Sequence, residues 1–183
     1  MGNTNTLIRG MGYFPNFVSQ NAKDIKFDIV YSGANREGLA ECILNLASLG
    51  FKVCILGDLQ LTHCNITSLG RVSLERVYEI YSISSAGLNY IPDIYPYNIQ
   101  DSTKAIEYVG AGLQVISNRY RWIIDFENQL DENFIYLDEF ESDNLVKIKI
   151  KIKMRNKSNQ ISSYQWNNVI KNSKLNEKIL SLL

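Results

Sequence analysis

The chain has 183 residues, room for one domain or two small ones, and its 45% hydrophobic content suffices for one core of ordinary soluble type. Nineteen Lys and Arg balance nineteen Asp and Glu, and the pI is about 6.6, so no global basic field exists to hold a nucleic-acid partner by bulk charge. No run approaches the roughly 20 apolar residues of a membrane span, Met1–Arg9 lacks the apolar centre of a signal peptide, and three cysteines without paired spacing suit a reducing compartment. The expected location is cytoplasmic, or a cytoplasmic membrane surface. The abundance of Asn, Ile, Lys and Tyr is the bias of an AT-rich bacterial genome.

Residues 1–26 carry little period, are punctuated by Gly10, Gly12 and Pro15, and read as a linker or lead-in arm in which Phe14 and Phe17 could pack on the domain that follows over 27–183. Phe27 to Ser32 reads as a strand closed by Gly33. Leu39, Cys42, Ile43, Leu46 and Leu49 recur at helical spacing, and Gly50 caps that helix. Lys52 to Leu56 is a second strand, closed by Gly57 and Asp58. Strand, glycine turn, helix, glycine, strand is a βαβ unit and implies a parallel sheet. Leu59 to Ser68 is open between loop, short strand and helical turn. Ser73 is an N-cap without a full capping box, because Arg76 stands where Glu or Gln would complete it. Leu74, Val77, Ile80 and Tyr81 form the apolar face of the next helix, and Ala86 to Ile91 a strand.

Pro92 and Pro96 bracket a loop rich in Tyr and Asn. The run Asp101 to Ser117, D-S-T-K-A-I-E-Y-V-G-A-G-L-Q-V-I-S, then has a fixed grammar. Ser102 and Thr103 open a helix, Lys104 and Glu107 sit on its first two turns, Gly110 to Gly112 close it, and Leu113 to Ser117 is a buried strand. Tyr120 to Leu130 is a short helix with Trp122, Ile123 and Phe126 inward, and Phe134 to Leu137 a short strand. Asn144 to Lys157 alternates strictly with period two, which favours a strand on its own, while the βα rhythm places a helix there, the reading preferred here. Ser163 to Leu183 reads as a C-terminal helix. Five or six short strands alternating with helices make an α/β fold, a Rossmann-like doubly wound parallel sheet.

Ligands of such sheets bind beyond the carboxyl ends of the strands, at the switch in strand order. Three loops lie at such ends: Gly33–Arg36, Tyr90–Thr103 and Ser117–Tyr120. A helix opening at Ser102 offers free N–H groups and the positive end of its dipole to a phosphate. Lys104 adds a point charge and Arg36 a fork for a diphosphate. Glu107 could accept two hydrogen bonds from the hydroxyls of a ribose. Each residue also has a plainer reading: a capped helix that binds nothing, a Glu107–Lys104 pair, a surface Arg36, a Gly33 that ends a strand, an Arg71 that caps a loop. His63 stands alone in a polar loop and takes no catalytic role. The basic run Lys147 to Arg155 is a solvated face or, in a sharper reading, a surface attracted to anionic lipid.

In combination these segments resemble the C-terminal, nucleotide-sugar-binding domain of GT-B-fold bacterial glycosyltransferases, of the group 1 or family 4 type. The resemblance is carried by S-T-K-A-I-E-Y-V-G-A-G-L-Q-V-I-S at 102–117, G-A-N-R-E-G at 33–38, L-G-R-V-S-L at 69–74 and Y-Q-W at 164–166, and covers about 27–182. It implies one half of a GT-B fold. It implies that Glu107 binds the ribose, that Gly33, Arg36, Ser102, Thr103 and Lys104 lie against the donor diphosphate, and that Arg71 and Val72 border the nucleobase. No metal or cofactor is implied, since the sequence holds no D-x-D motif and the nucleotide diphosphate sugar is the donor substrate. Many retaining members carry a second Glu eight positions before the ribose Glu; here Ile99 stands there, with Asn98, Gln100 and Asp101 beside it.

The resemblance therefore implies the donor-binding part of a transferase that moves a sugar to a glycan or lipid-linked acceptor in polysaccharide biosynthesis. The acceptor domain is expected elsewhere, in a longer chain or a partner chain, and this part alone is expected to bind without transferring. The alternatives are a nucleotide-sugar epimerase-like enzyme, against which the single His argues, and a non-catalytic nucleotide-binding module.

Overall fold

The computed structural model describes residues 11–14, 24–140, 144–154 and 159–173. The elements are β1 (Phe27–Ser32), α1 (Leu39–Ser48), β2 (Val53–Leu56), β3 (Ile66–Gly70), α2 (Leu74–Ser82), β4 (Ser84–Asn89), α3 (Thr103–Gly110), β5 (Gln114–Ser117), α4 (Arg121–Leu130), β6 (Ile135–Tyr136), α5 (Leu145–Lys151) and α6 (Trp166–Asn172). The six strands form one sheet in the order β3-β2-β1-β4-β5-β6, every neighbouring pair parallel. This is the doubly wound order, and its switch point falls between β1 and β4.

A central parallel strand is covered on both faces and so reads as an unbroken apolar run. β2 (V-C-I-L) is of this kind, buried at every position. One face carries α2, α3 and α4 over a core that includes Val30, Tyr81, Tyr108 and Phe126. The other carries α1 and α5 over Ile29, Ile43, Ile55 and Ile148. Each fully buried aliphatic side chain contributes roughly 1.5–3 kcal/mol relative to exposure. Cys54 is buried and Cys42 half-buried, and burial pushes both thiols up to about 12, so they pack as small apolar groups.

Helix ends follow their capping residues. After α1, Gly50 adopts φ 86°, its N–H reaches Ala47 O, and the N–H of Phe51 reaches Leu46 O. α3 closes the same way, with Gly112 at φ 76° bonding Val109 O and Leu113 bonding Tyr108 O. Both are Schellman caps, which need a left-handed residue after the helix.

Several elements differ from the sequence reading. β4 runs Ser84–Asn89 rather than 86–91, because the Asn118 side chain takes both backbone groups of Ile91, Oδ1 accepting from its N–H at 2.9 Å and Nδ2 donating to its carbonyl at 2.8 Å. Those groups are then unavailable to β5, and the strand stops. Ser84 enters the strand because its hydroxyl is satisfied by Ile80 O at 2.7 Å. The open segment 59–68 resolves into a loop and the start of the edge strand β3. Residues 145–151 are helical, with Ile148 and Ile152 inward.

Tyr13, read as part of a linker, is 4% exposed, exchanges backbone hydrogen bonds with Tyr164 and Trp166, and lies against Gly110. Phe14 packs on Trp166 at 6.2 Å between ring centroids. Gly10, Pro15, Phe17 and the chain beyond Ser173 lie outside the described residues. Among the described residues no helix is long and apolar enough to cross a membrane.

Candidate functional site

The sheet brings β1, β2, β4 and β5 to one carboxyl edge. After β1, the chain turns at Gly33 (φ 144°), whose N–H donates to Leu56 O at 2.9 Å. Gly57 faces it, and a Cβ there would collide with the Gly33 carbonyl, so only two glycines let these loops close on each other. Between them opens a cavity of about 320 Å³, lined by Ser32, Gly33, Gly57, Arg71, Val72 and Val77 among others. Three of the residues singled out in the sequence, Gly33, Arg71 and Val72, thus share one wall.

Arg71 is exposed and forms a two-pronged pair with Asp58, Nε to Oδ1 at 2.6 Å and Nη2 to Oδ2 at 2.8 Å. The guanidinium holds the Asp58 carboxyl below its ordinary range. An exposed pair of this kind contributes little stability; what it does here is tie the β3–α2 turn to the end of β2 and fix the cavity rim.

α3 points its amino end at the same place. Ser102 caps it, accepting from the Ala105 N–H at 3.4 Å, and donates to Asn89 Oδ1 at 2.6 Å. Asn89 is fully buried at the end of β4, and its Nδ2 reaches Ser117 Oγ at 3.0 Å and the Tyr120 hydroxyl at 3.2 Å. The Ser117 hydroxyl sits 2.9 Å from Asn89 O. This closed polar network sets the start of α3 against β4 and β5. It also means that the Ser102 hydroxyl serves inside the fold. Among the described residues, no acceptor takes the N–H of Thr103 or of Lys104. These are the orphan donors a phosphate would use.

The Lys104 side chain runs along Gly33, its Cδ 3.6 Å from where a Cβ would stand, and its ammonium lies 5.9 Å from the Tyr31 ring centroid. Arg36 lies over Tyr97 at 4.8 Å, linking the first loop to the loop after β4. Desolvation lowers the Lys104 pKa, and the nearby Arg36 cation lowers it further, against an opposing pull from Glu107. Two cations held together and part-buried is an arrangement that an added anion would relieve.

Glu107, one turn on, is half-buried. Desolvation raises its pKa, while Lys104 and a hydrogen bond with the Tyr81 hydroxyl lower it. Beneath it, Ser32 Oγ lies 2.5 Å from the Tyr81 hydroxyl, and the Ser32 N–H donates to the Tyr108 hydroxyl at 3.1 Å. Tyr81 and Tyr108 pack edge to face at 5.3 Å. The Tyr108 ring lies flat on β4 at Gly87, where a Cβ would overlap it.

These tyrosines and Ser32 were missed in the sequence. At helical spacing Tyr81 reads as part of an apolar face and Tyr108 carries no signal of its own; only the sheet brings them to Ser32. Ile99 is 62% exposed on a turn after β4, and Asn98 beside it is turned to Asp93 at 3.0 Å. His63 is at the opposite, amino edge of the sheet, where its Nδ1 accepts from the Asn65 N–H at 3.1 Å just before β3. Among the described residues no three His, Cys, Asp or Glu side chains gather as metal ligands would.

Solved structures share this fold. AviGT4, a glycosyltransferase involved in avilamycin A biosynthesis, matches with a TM-score of 0.72 at 12% identity, over 97% of this chain and 59% of that one. Sucrose-phosphate synthase from Thermosynechococcus elongatus matches at 0.64 and 12% identity, over 94% and 52%. A DNA-modifying β-glucosyltransferase, solved with and without uridine diphosphoglucose, matches at 0.52 and 15% identity, over 91% and 53%. The fold is that of a GT-B glycosyltransferase-like domain.

No protein-family model matches the sequence, and no curated protein does. The chain spans between half and three-fifths of those three structures. In this GT-B-like domain, Gly33, Arg36, Thr103 and Lys104 converge at the switch point. Arg71 and Val72 line the neighbouring cavity together with Gly33, and Glu107 lies beside the Ser32–Tyr81–Tyr108 cluster through its hydrogen bond with Tyr81.

Proposed function

We propose that this chain is the nucleotide-sugar-binding part of a glycosyltransferase of hexosyl type. It holds a nucleotide diphosphate sugar while the sugar passes to a hydroxyl of a glycan or lipid-linked acceptor, as in bacterial polysaccharide biosynthesis. One observation carries the reading. The free amino end of α3, Lys104 and Arg36 meet at the strand-order switch, beside a cavity walled by two close-packed glycine turns. The kinship of fold with glycosyltransferases, one of them solved with uridine diphosphoglucose, supports the same direction.

In this mechanism the chain's contribution is positional and electrostatic. The N–H groups of Thr103 and Lys104, with the Lys104 and Arg36 cations, hold the diphosphate. As the bond from the sugar to the diphosphate breaks, negative charge grows on the leaving oxygen, and these fixed donors stabilise it. Glu107 accepts from the ribose hydroxyls. The base lies along Val72 and Val77, with Arg71 at the rim. Ser102 acts through the helix it caps. Acceptor binding belongs to a domain elsewhere in a longer protein or in a partner chain, so this domain alone binds donor without transferring. The protein works in the cytoplasm, at the inner face of the membrane.

Calorimetric titration with UDP and UDP-glucose, then with other nucleoside diphosphates, tests the reading. Saturable binding by at least one is expected, weakened about tenfold by Glu107→Ala when two hydrogen bonds to a ribose are lost. Equal affinity of wild type and variant would remove Glu107 from the site.

A further inference from the structure

α5 and the turn after it present a second surface, at the opposite end of the sheet from the nucleotide site. Lys149 reaches Gly50 and the face of Phe51, just before β2. Lys151 Nζ donates to Phe134 O at 2.7 Å, just before β6. Lys153 borders a cavity with Asp28 and Ser84, at the starts of β1 and β4. The helix therefore lies across the amino ends of the strands.

Its sequence, L-V-K-I-K-I-K-I-K-M over 145–154, contains four lysines and no acid. Within α5, at about 100° per residue, Ile148 points into the core and Val146 and Ile150 fall on the opposite side; in the turn that follows, Ile152 is buried and Met154 is exposed. Val146, Ile150 and Met154 are 73%, 58% and 60% exposed and form one stripe at spacing i, i+4, i+8. Lys149 and Lys153 flank it on one side, Lys147 and Lys151 on the other. Among the described residues, the acids bordering this surface are Glu132, in a cavity shared with Lys147 and Ile150, and Asp28, which accepts from the Lys52 N–H. Lysines thus outnumber acids, among the described residues, around an apolar ridge on a chain of zero formal charge, with Lys147 and Lys153 at its rim and Lys149 and Lys151 held by Phe51 and by Phe134 O.

We infer that this face rests on an anionic phospholipid surface. Val146, Ile150 and Met154 enter the boundary between headgroups and acyl chains, and Lys147 and Lys153 reach outward to the lipid phosphates, while Lys149 stays over Phe51 and Lys151 stays bonded to Phe134 O. An outward apolar stripe between lysine rows fits a surface whose interior is apolar and whose boundary is negative. A second copy of the chain would bring the same lysines against their equivalents, which charge repulsion disfavours. The inference sharpens the membrane-face clause of the proposed function, and draws on nothing in the nucleotide site. Bound this way, the chain turns its carboxyl-edge cavity away from the lipid.

Co-sedimentation of the full chain with vesicles, in nucleotide-free buffer, tests it. With phosphatidylcholine vesicles containing phosphatidylserine at low salt, the chain should pellet, and salt should release it. With phosphatidylcholine alone it should stay in solution. The charge variant K147E/K153E should lower partitioning by about tenfold or more, and V146S/I150S, which keeps every charge, by a smaller factor. All four positions are exposed, and unchanged circular dichroism and melting would show that the variants fold. Failure to pellet with anionic vesicles, equal pelleting with neutral ones, or wild-type binding by both variants would each overturn the inference. So would a lipid-free dimer in sedimentation velocity that V146S/I150S abolishes, because a second copy would then own the stripe. Each negative result strikes α5 alone, since nucleotide titration reads the other site separately.

Discussion

Burial disfavours the charged forms of both Lys104 and Glu107. The Lys104 pKa is lowered first by desolvation and then by Arg36, so its charged form is disfavoured in the native state relative to the unfolded chain. Lys104→Met should therefore raise the melting temperature while weakening binding of a nucleoside diphosphate by tenfold or more, roughly the 1.5–3 kcal/mol of a charge-assisted hydrogen bond. A residue of purely structural value would move both in one direction. The Glu107 pKa lies above its ordinary 4.5. Between the two values the native state holds the proton that the unfolded chain releases. The stability from the protonated form is thus complete below 4.5 and lost as pH rises through the folded value. Glu107→Gln should accordingly melt above wild type at about pH 7, and the gain should vanish at about pH 4. Thermal scans across that range check the sign.

At the scale of elements, α3 and its anchor position the chemistry. Ser102 caps the helix and satisfies Asn89 in the same stroke, so Ser102→Ala removes a cap and strips the buried Asn89 Oδ1 of its donor. The expected loss is about 1–3 kcal/mol by denaturant titration. Gly87→Ala should cost at least as much, because the Tyr108 ring occupies the space of the new Cβ.

Most elements could be read from the chain because apolar spacing, glycine and capping residues agreed: β1, α1, β2, α3 and β5 stand within a residue or two of the reading. What failed did so for long-range reasons. The Asn118 amide that ends β4 acts across 27 residues. The Ser32–Tyr81–Tyr108 cluster joins positions 49 and 76 apart. In α5, strict alternation matches a strand, yet the helix forms. Its inward pair, Ile148 and Ile152, completes the core on the α1 side, and the other half of the apolar residues is left outside. Of the site, Gly33, Arg36 and the start of α3 were visible as loop and helix signals. Their distances from one another were not, because only the parallel order of β1 and β4 sets them.

At the scale of the whole molecule, the sheet separates two surfaces. Six parallel strands in doubly wound order place the Lys104 and Arg36 cations at the switch point and a cavity beside it, between the ends of β1 and β2, while the basic helix α5 occupies the far end. The GT-B-like architecture and the span of about half of its structural neighbours lead to one expectation: the chain binds donor and leaves it intact. Incubation with UDP-glucose and saccharide acceptors should release no UDP above the buffer control. Turnover by this chain alone would mean that it carries an acceptor site of its own. The most direct measurement is amide chemical-shift mapping of the isotope-labelled chain during titration with a nucleoside diphosphate, beginning with UDP. The expected result is a saturable set of shifts centred on Gly33, Gly57, Thr103 and Lys104, with His63 and α5 unmoved. No shift with any nucleoside diphosphate at millimolar concentration, or shifts confined to residues away from the carboxyl edge of the sheet, would contradict a nucleotide site at the switch point.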